Sequence, residues 1–344
     1  MRIAAAGRLP LGAELTGPRL DHDRIIARDG AALPLRVWLP EGAPQAVVLA
    51  LHGFNDYSNA FAYTGKVFAA HGIATYAYDQ RGFGAAPLRG RWAGAASLVD
   101  DAVTAIMLLR QRYPGVPLYL VGESMGGAVA ILASTRMGRV APAPDGVVLL
   151  APAVWGRSTM NFFERAGLWF AGLMPDVRWS PNLIPVRIRA SDNVAMLRAL
   201  GADPLVIKAT RSDALNGLVD LMSAALAAAP RFRARALILY GRHDEIVPRP
   251  PVEEFVAALP RDASGRQRVA YYPHGYHLLT RDLEGPMVVH DVLAWIENQH
   301  APLPSGADTD ARARLFGIAT AAAERGRGNR AATETGPAWR RAPG

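Results

Sequence analysis

A serine lies among small residues in the stretch Gly122-Glu123-Ser124-Met125-Gly126, which has the spacing G-x-S-x-G. The apolar stretch PLYL precedes this motif, and the helix-competent stretch MGGAVAILAS follows its serine. Glycines here allow a sharp strand-to-helix turn that larger residues would block, and such a turn exposes the serine hydroxyl. The pattern is more typical of a nucleophile than of a helix cap, because a cap does not require so many glycines.

A serine becomes an effective nucleophile when a histidine accepts its proton and a carboxylate orients that histidine. Both partners follow in this order, each after an apolar run that predicts a strand. Asp244 follows ALILYG, and His277 lies in HGYHLL after VAYYP. We predict Asp244 as the acid and His277 as the base, because the turn containing Gly275 gives the loop enough reach. Glu245 and His274 are the alternatives.

The negative charge that develops on a carbonyl oxygen during acyl transfer needs two fixed hydrogen-bond donors. The nucleophile turn supplies the backbone amide of Met125. The stretch HGFND follows another predicted strand, and there Gly53 permits close backbone approach while the amide of Phe54 faces the site. We expect His52 to shape this loop rather than to act as a base.

Short apolar runs alternate with helical periodicity between residues 24 and 299, which predicts an α/β fold with parallel strands joined by helices. Between Leu98 and Arg112 the apolar residues recur at helical spacing, and YPG then ends the helix. The carboxyl ends of parallel strands share one edge of the sheet, which brings the predicted site together. The predicted strands are LPLRVWLP, AVVLALHG, IATYAYDQ, PLYLVGES, GVVLLAPA, ALILYGRHD and QRVAYYP.

The alternation breaks at residues 153–235, where a simple crossover needs only about a dozen residues or more. We predict a helical lid here, inserted into a core of residues 21–152 and 236–300. Its aromatic residues Trp155, Phe162, Phe163 and Trp169 are predicted to bind substrate. Two other interpretations remain open: a helix that packs on its own domain, and a face that rests transiently on a membrane.

The two ends of the chain lack the periodicity of the core. Residues 1–20 are predicted to be an N-terminal extension. Residues 301–344 contain many Ala, Gly and Arg residues and are predicted to form a flexible tail, with a short helix around residues 311–325 as an option.

Composition excludes several other classes of function. The chain has 344 residues and a formal net charge of +8, but arginines carry nearly all of the positive charge and are scattered, so no nucleic-acid partner is expected. No cysteine is present, which excludes disulfides, thiolate metal sites and a cysteine nucleophile. Without a signal sequence or an apolar run of about 18 residues, the predicted location is cytoplasmic, with peripheral membrane contact as an option. The oligomeric state is open.

Six motifs in order resemble the α/β-hydrolases of the monoacylglycerol lipase and lysophospholipase type, often grouped with serine aminopeptidase-like hydrolases. These motifs are ARDGAALPLRVWLP, LHGFNDYS, YAYDQRGFG, VGESMGG, LYGRHDEIVP and YPHGYHLLTRD. The resemblance covers about residues 20–299. It implies Ser124 as nucleophile, His277 as base, Asp244 as acid and the Phe54 and Met125 amides as oxyanion hole, with no cofactor and no metal.

The resemblance also marks a loop and two departures from the family pattern. Asp79, Arg81, Gly82 and Gly84 match a D-x-R-G-x-G loop that is expected to hold the loops around the site. Glu123 stands where relatives often carry histidine, at a position expected not to touch the reacting centre. His274 stands where an acidic residue is common.

The leading functional hypothesis is hydrolysis of a carboxylic ester of an acyl lipid, such as a monoacylglycerol or a lysophospholipid. An amino-terminal peptidase of the same fold is the alternative enzyme, and it needs a carboxylate for the substrate ammonium group. Glu164, Asp176 and Asp213 are the candidates for that carboxylate. A ligand-binding protein without catalysis is the third hypothesis.

Overall fold

Nine strands lie side by side in one sheet within residues 17–140, 143–180 and 188–318, the part of the chain that the computed structural model describes. The strands are β1 (Arg19–Leu20), β2 (Arg24–Ile26), β3 (Ala32–Trp38), β4 (Ala46–Leu51), β5 (Ile73–Tyr78), β6 (Leu118–Glu123), β7 (Gly146–Leu150), β10 (Ala236–Gly241) and β11 (Gln267–Tyr272). Their order across the sheet is β1-β2-β3-β5-β4-β6-β7-β10-β11. The strands from β5 to β11 in this order are parallel, whereas β1, β2 and β3 add antiparallel to one edge.

Helices cover both faces of this sheet. The α-helices outside the lid region are α1 (Ala62–Ala70), α2 (Ala95–Arg112), α3 (Met125–Val140), α6 (Ser212–Ala228), α7 (Arg249–Ala258), α8 (Gly285–Glu297) and α9 (Ala311–Leu315). Short 3-10 helices span Ser58–Phe61, Arg157–Thr159, Ala229–Arg231, Arg261–Arg266 and Leu279–Arg281. None of the described helices is long and apolar enough to cross a bilayer.

The strand β4 shows why the parallel strands read as continuous apolar runs. All six of its residues are buried. Val47, Leu49 and Leu51 pack into the core cluster that includes residues of α2, α3 and α6. Val48 points to the opposite face, where α1 and α8 contribute to the second cluster. Burial on both faces therefore removes the polar alternation of a half-exposed strand. The predicted α/β-hydrolase fold is confirmed.

The inserted region is smaller than predicted, because α6 belongs to the core. This helix packs against α3, and its own residues Leu221 and Ala225 are fully buried. It provides the crossover that the parallel neighbours β7 and β10 require. The described lid elements before it are α4 (Phe162–Gly172), α5 (Val194–Ala202) and the antiparallel pair β8 (Arg178–Trp179) and β9 (Thr210–Arg211).

The chain does not leave the domain at residue 300, which differs from the predicted tail. Leu303, Ala307, Ala311 and Leu315 recur every fourth residue, and all four are buried. The amide of Tyr271 in β11 also donates to the carbonyl of Ala307 at 2.8 Å. Residues 301–318 therefore cover one edge of the sheet. Of the optional helix around residues 311–325, the first five residues form α9. At the N-terminal side, the last two residues of the predicted extension, Arg19 and Leu20, form β1 and belong to the sheet. The rest of both predicted segments, residues 1–16 and 319–344, lies outside the described residues.

Candidate active site

The stretch around Ser124 forms a tight turn between β6 and α3. Ser124 has a φ of 52°, in the left-handed region that non-glycine residues rarely adopt. Its amide donates to the carbonyl of Leu150 at 2.9 Å, and its own carbonyl accepts from Ala153 at 3.0 Å. A Cβ on Gly126 would lie 2.0 Å from the carbonyl oxygen of Leu51, so the turn fits only with glycine there. Strain of this kind is typical of functional positions.

Asp244 and His277 meet after their respective strands, as predicted. Oδ2 of Asp244 lies 2.8 Å from Nδ1 of His277. Oδ1 of Asp244 accepts hydrogen bonds of 2.9 Å from the amides of Ile246 and Val247, which fix the carboxylate. With Nδ1 bound to Asp244, Nε2 of His277 is the nitrogen available to another partner. Ser124 and His277 line the same cavity.

The alternative residues point elsewhere. His274 is exposed, and Glu245 is an exposed carboxylate that accepts a 2.7 Å hydrogen bond from the amide of Arg189. The geometry favours His277 over His274 because His277 lines the cavity, and it favours Asp244 over Glu245 because the Asp244 carboxylate contacts His277.

The environment of His277 raises the pKa of its imidazole above the ordinary value of 6.5. Burial is the largest influence and lowers this pKa, but the charge and hydrogen bond of Asp244 together with the charge of Glu123 outweigh it. Arg281 opposes them with its positive charge. The imidazolium that forms when a base takes a proton is therefore stabilised here.

The loop after β4 is held by His52. The amide of Gln80 donates to Nε2 of His52 at 2.9 Å, so Nδ1 carries the proton and donates to the carbonyl of Gly53 at 2.8 Å. Burial lowers the pKa of His52, which agrees with a neutral ring. The Gly53 carbonyl and the Phe54 amide belong to one planar peptide, so fixing the first orients the second. Within the described chain, the amides of Phe54 and Met125 make no internal hydrogen bond.

The D-x-R-G-x-G loop supports its neighbours through side-chain hydrogen bonds. Asp79 accepts from the amide of Ser58 at 3.0 Å and from the amide of Ala85 at 2.8 Å. Arg81 forms an ion pair with Asp101 at 2.6 Å. These contacts tie the loop to the segment after β4 and to α2, as expected.

A cavity of about 800 Å³ opens above Ser124. Its walls are mostly apolar, and Trp155 lines it as predicted, together with the predicted oxyanion donor Phe54. Sequence reasoning missed most of the remaining wall, which includes Met160, Leu168, Trp179, Leu215, Leu218 and Met222. An apolar cavity with a few polar groups suits an acyl chain joined to a polar head.

Three of the four aromatic residues predicted to bind substrate do not line this cavity. Phe162, Phe163 and Trp169 are 77%, 82% and 67% exposed, so their assignment was wrong. The residues of α4 that face the cavity are Glu164, Gly167, Leu168 and Ala171. Their spacing of three and four residues marks one helix face, a signal that was visible in the sequence.

Glu123 contradicts the expectation that it stays away from the centre. It is 1% exposed, lines the cavity, and forms an ion pair of 2.5 Å with Arg281. Arg281 also contacts Asp56 at 2.7 Å. Sequence reasoning missed this cluster because 158 positions separate Arg281 from Glu123.

Comparisons with known proteins agree with this fold. Residues 42–284 match the family described as serine aminopeptidase, S33. Human monoglyceride lipase is 25% identical over 291 residues, covering 83% of this chain and 93% of the human protein. The monoacylglycerol lipase of Mycolicibacterium smegmatis is 28% identical over 277 residues, covering 78% of this chain and 93% of that protein.

Solved structures support the same architecture. Monoacylglycerol lipase of Paleococcus ferrophilus superposes with a TM-score of 0.63 at 22% identity, covering 78% of this chain and 99% of that one. A soluble variant of monoglyceride lipase from Saccharomyces cerevisiae, solved with a substrate analog, gives 0.67 at 19% identity, covering 86% and 99%. The fold and its relatives define a serine ester hydrolase of the α/β-hydrolase class. Because the family match spans most of the chain, the protein belongs to the serine aminopeptidase S33 family.

Proposed function

We propose that the protein hydrolyses fatty-acid esters, with monoacylglycerols as the preferred substrates, through Ser124, His277 and Asp244. The observation that carries this proposal is the apolar cavity of about 800 Å³ into which Ser124 and the Asp244-bound His277 both open. Monoglyceride lipases among the relatives support the same substrate class.

The proposed reaction has two acyl-transfer steps. Ser124 Oγ attacks the ester carbonyl while Nε2 of His277 takes the hydroxyl proton, and the amides of Phe54 and Met125 bind the resulting oxyanion. The carbonyl re-forms, the ester bond breaks, and the glycerol oxygen leaves with the proton from His277. Water then attacks the acyl-enzyme, giving its proton to His277, which returns it to Ser124 as the fatty acid leaves.

The charge of the cavity favours a neutral head group over a phosphate. Its ionisable lining residues other than His277 are Asp56, Glu123 and Glu164, and no arginine or lysine of the described chain lines it. A phosphate needs cationic or amide donors near it. Arg281, beside the cavity, is already paired with Asp56 and Glu123, so the described lining residues offer a phosphate no cationic side chain. Monoacylglycerol therefore fits this cavity better than a lysophospholipid.

The carboxylates considered for a peptidase are already engaged. Asp176 and Asp213 both form ion pairs with Arg211. Glu164 lines the cavity, but it accepts a 2.9 Å hydrogen bond from the amide of Asn161 as part of the capping box of α4. No observation thus favours the peptidase over the esterase.

A substrate panel tests the proposed function. The panel contains a monoacylglycerol, a lysophosphatidylcholine, p-nitrophenyl esters of increasing chain length and an aminoacyl-p-nitroanilide, each assayed with wild type and Ser124→Ala. We expect serine-dependent turnover with the highest kcat/KM on the monoacylglycerol. Preference for the lysophospholipid would reject the head-group assignment, and turnover of the anilide alone would identify a peptidase. Absence of all turnover in folded protein would favour a binding protein.

The pH profile of kcat/KM should have an acidic limb above pH 6.5. The raised pKa of His277 keeps its imidazole protonated to higher pH, and the protonated ring accepts no proton from Ser124. The raised pKa favours activity at high pH but stability at low pH. The His277 contribution to the free energy of unfolding is full below the pKa of the unfolded chain and disappears as pH rises through the pKa of the folded protein. Rate measurements from pH 5 to 9 check this, and a limb below pH 6.5 would contradict the assignment.

We further propose that the outer face of α4 contacts the membrane surface that supplies the substrate. Phe162, Phe163 and Trp169 lie there, with Phe170 58% and Leu173 60% exposed. A helix with an apolar outer face beside a lipid-substrate cavity suits an interfacial location.

Replacing Phe163 and Trp169 together by serine should lower partitioning onto phosphatidylcholine vesicles by about tenfold or more, because burying one such side chain contributes about 1.5–3 kcal/mol. Sedimentation measures the bound fraction, and a soluble short-chain ester checks that kcat is retained. The matched control is Leu39→Ser, an apolar residue outside the insertion that is 56% exposed. Equal binding by both variants and wild type would reject the membrane contact.

A further inference from the structure

A buried cluster of three charged side chains lies beside the proposed site. Arg281 contacts Glu123 through Nη2 at 2.5 Å and Asp56 through Nη1 at 2.7 Å. The side chains of Arg281, Asp56 and Glu123 are 11%, 9% and 1% exposed. The two prongs of one guanidinium thus join two carboxylates, a geometry that a lysine does not reproduce.

Each member of the cluster lies close in sequence to a different part of the proposed machinery. Glu123 directly precedes Ser124, Asp56 lies two residues after Phe54, and Arg281 lies four residues after His277. Arg281 therefore links the nucleophile turn, the proposed oxyanion loop and the histidine loop.

Arg281 also joins the lid region to these loops. Its backbone carbonyl accepts a 3.1 Å hydrogen bond from the side-chain amide of Asn193. Asn193 is the N-cap of α5, where its side-chain oxygen accepts from the amide of Met196 at 3.1 Å. The segment around Arg281 thus contacts the start of α5 as well as the end of β6 and the loop after β4.

Stability alone does not account for the cluster. Removing charges from water costs about as much as a buried ion pair returns, and apolar replacements are often as stable. Within the described residues, Oε2 of Glu123 and Nε of Arg281 have no hydrogen-bond partner, so part of the desolvation penalty remains. A role in geometry explains better why three buried charges occur here.

The cluster also acts on His277 through its charges. The charged groups that influence the ring are Asp244 and Glu123, which raise its pKa, and Arg281, which lowers it. Burial raises the pKa of Glu123 itself, and the adjacent Arg281 opposes this by favouring the carboxylate. Removing the charge of one partner should therefore change the proton affinity of the base, whereas losing only the two-pronged contact should change loop geometry.

We propose that Arg281 is a positioning residue that holds the nucleophile turn and the oxyanion loop in register with His277, and that Glu123, which Arg281 holds in the same cavity wall as His277, supplies a negative charge there. This inference rests on the proposed function for its catalytic consequence. The contacts it invokes do not depend on the identity of the substrate.

Two conservative substitutions separate geometry from charge. Arg281→Lys keeps the positive charge but loses the two-pronged guanidinium contact with Glu123 and Asp56. We therefore expect kcat to fall by about tenfold to a hundredfold, with little change in KM and an unchanged acidic limb of the pH profile.

Glu123→Gln keeps the size of the side chain and removes its charge, so the acidic limb should move to lower pH. Asp308→Asn is the matched control, because Asp308 pairs with Arg268 away from the cavity and is partly buried. It should alter neither kcat nor the limb.

An NMR titration of the His277 ring supplies a readout that does not need turnover. If wild type hydrolyses no ester, the proposed function fails, while a lower His277 pKa in Glu123→Gln still supports the coupling. If Glu123→Gln does not fold, Arg281→Gln removes the opposing positive charge and should raise the same pKa. An unchanged His277 titration in the folded variant that removes a charge, together with wild-type kcat in Arg281→Lys, would overturn the proposal. A fall in stability with no change in these readouts would reduce the cluster to a structural role.

Discussion

Replacing Ser124 by alanine is expected to lower kcat for ester hydrolysis by about 10⁶-fold, the order seen when a nucleophilic serine is removed from a protease triad. The variant has no oxygen to form the acyl-enzyme, and the remaining groups only bind and polarise the ester. Its fold should survive, because Ser124 is held by backbone hydrogen bonds to Leu150 and Ala153. Turnover of a monoacylglycerol and the thermal unfolding midpoint are the two measurements.

Ser134→Ala is the matched control for this experiment. Ser134 lies in α3, the helix that begins directly after Ser124. It is 4% exposed, and its hydroxyl has no hydrogen-bond partner among the described residues. Its removal should therefore leave kcat at the wild-type level. Substantial turnover by Ser124→Ala would contradict the nucleophile assignment, and equal losses in both variants would indicate a general effect on α3.

Replacing Gly126 by alanine should destabilise the protein by about 3 kcal/mol or more, since overpacking against backbone leaves few ways to relax. The added Cβ would lie 2.0 Å from the carbonyl oxygen of Leu51 and 2.8 Å from that of His52. Relief requires α3 to move away from β4, which displaces both Ser124 and the amide of Met125. Chemical denaturation and kcat should both show the loss.

Gly201→Ala makes the same change in another helix, α5. No atom lies within 4 Å of the position that its Cβ would take, and its φ is not positive. Alanine should thus be neutral there or stabilise by up to about 1 kcal/mol through helix propensity. If both glycine variants behave alike, the close approach at Gly126 does not limit the turn.

The elements of the core were predictable because their signals are local. The parallel strands are buried on both faces and read as apolar runs, and the G-x-S-x-G turn needs its small residues for contacts of a few ångströms. The placement of Ser124, Asp244 and His277 on the same side of the sheet was predictable because each follows a parallel strand, and parallel strands end at a common edge. Local pattern and global topology agree at these positions.

The remaining features depend on which face of an element is turned inward or on distant partners. Phe162 and Trp169 are aromatic, but the rotation of α4 places them outside while Gly167 and Leu168 face the cavity. The composition after residue 300 favoured a flexible tail. The buried apolar residues that recur every fourth position and end at Leu315 show instead that this segment packs on the core. No local pattern pairs Glu123 with Arg281, because the contact exists only when the end of β6 meets the 3-10 helix Leu279–Arg281 in the folded chain.

The central claim is that Ser124 is the activated nucleophile, and covalent labelling tests it most directly. Wild-type protein is treated with a fluorophosphonate, and the modified residue is located by peptide mass spectrometry, with Ser124→Ala and Ser134→Ala treated in parallel. We expect one phosphonylated peptide carrying the label on Ser124 in wild type and Ser134→Ala, and no label in Ser124→Ala. Labelling of a different serine, or no labelling of folded wild-type protein, would contradict the account.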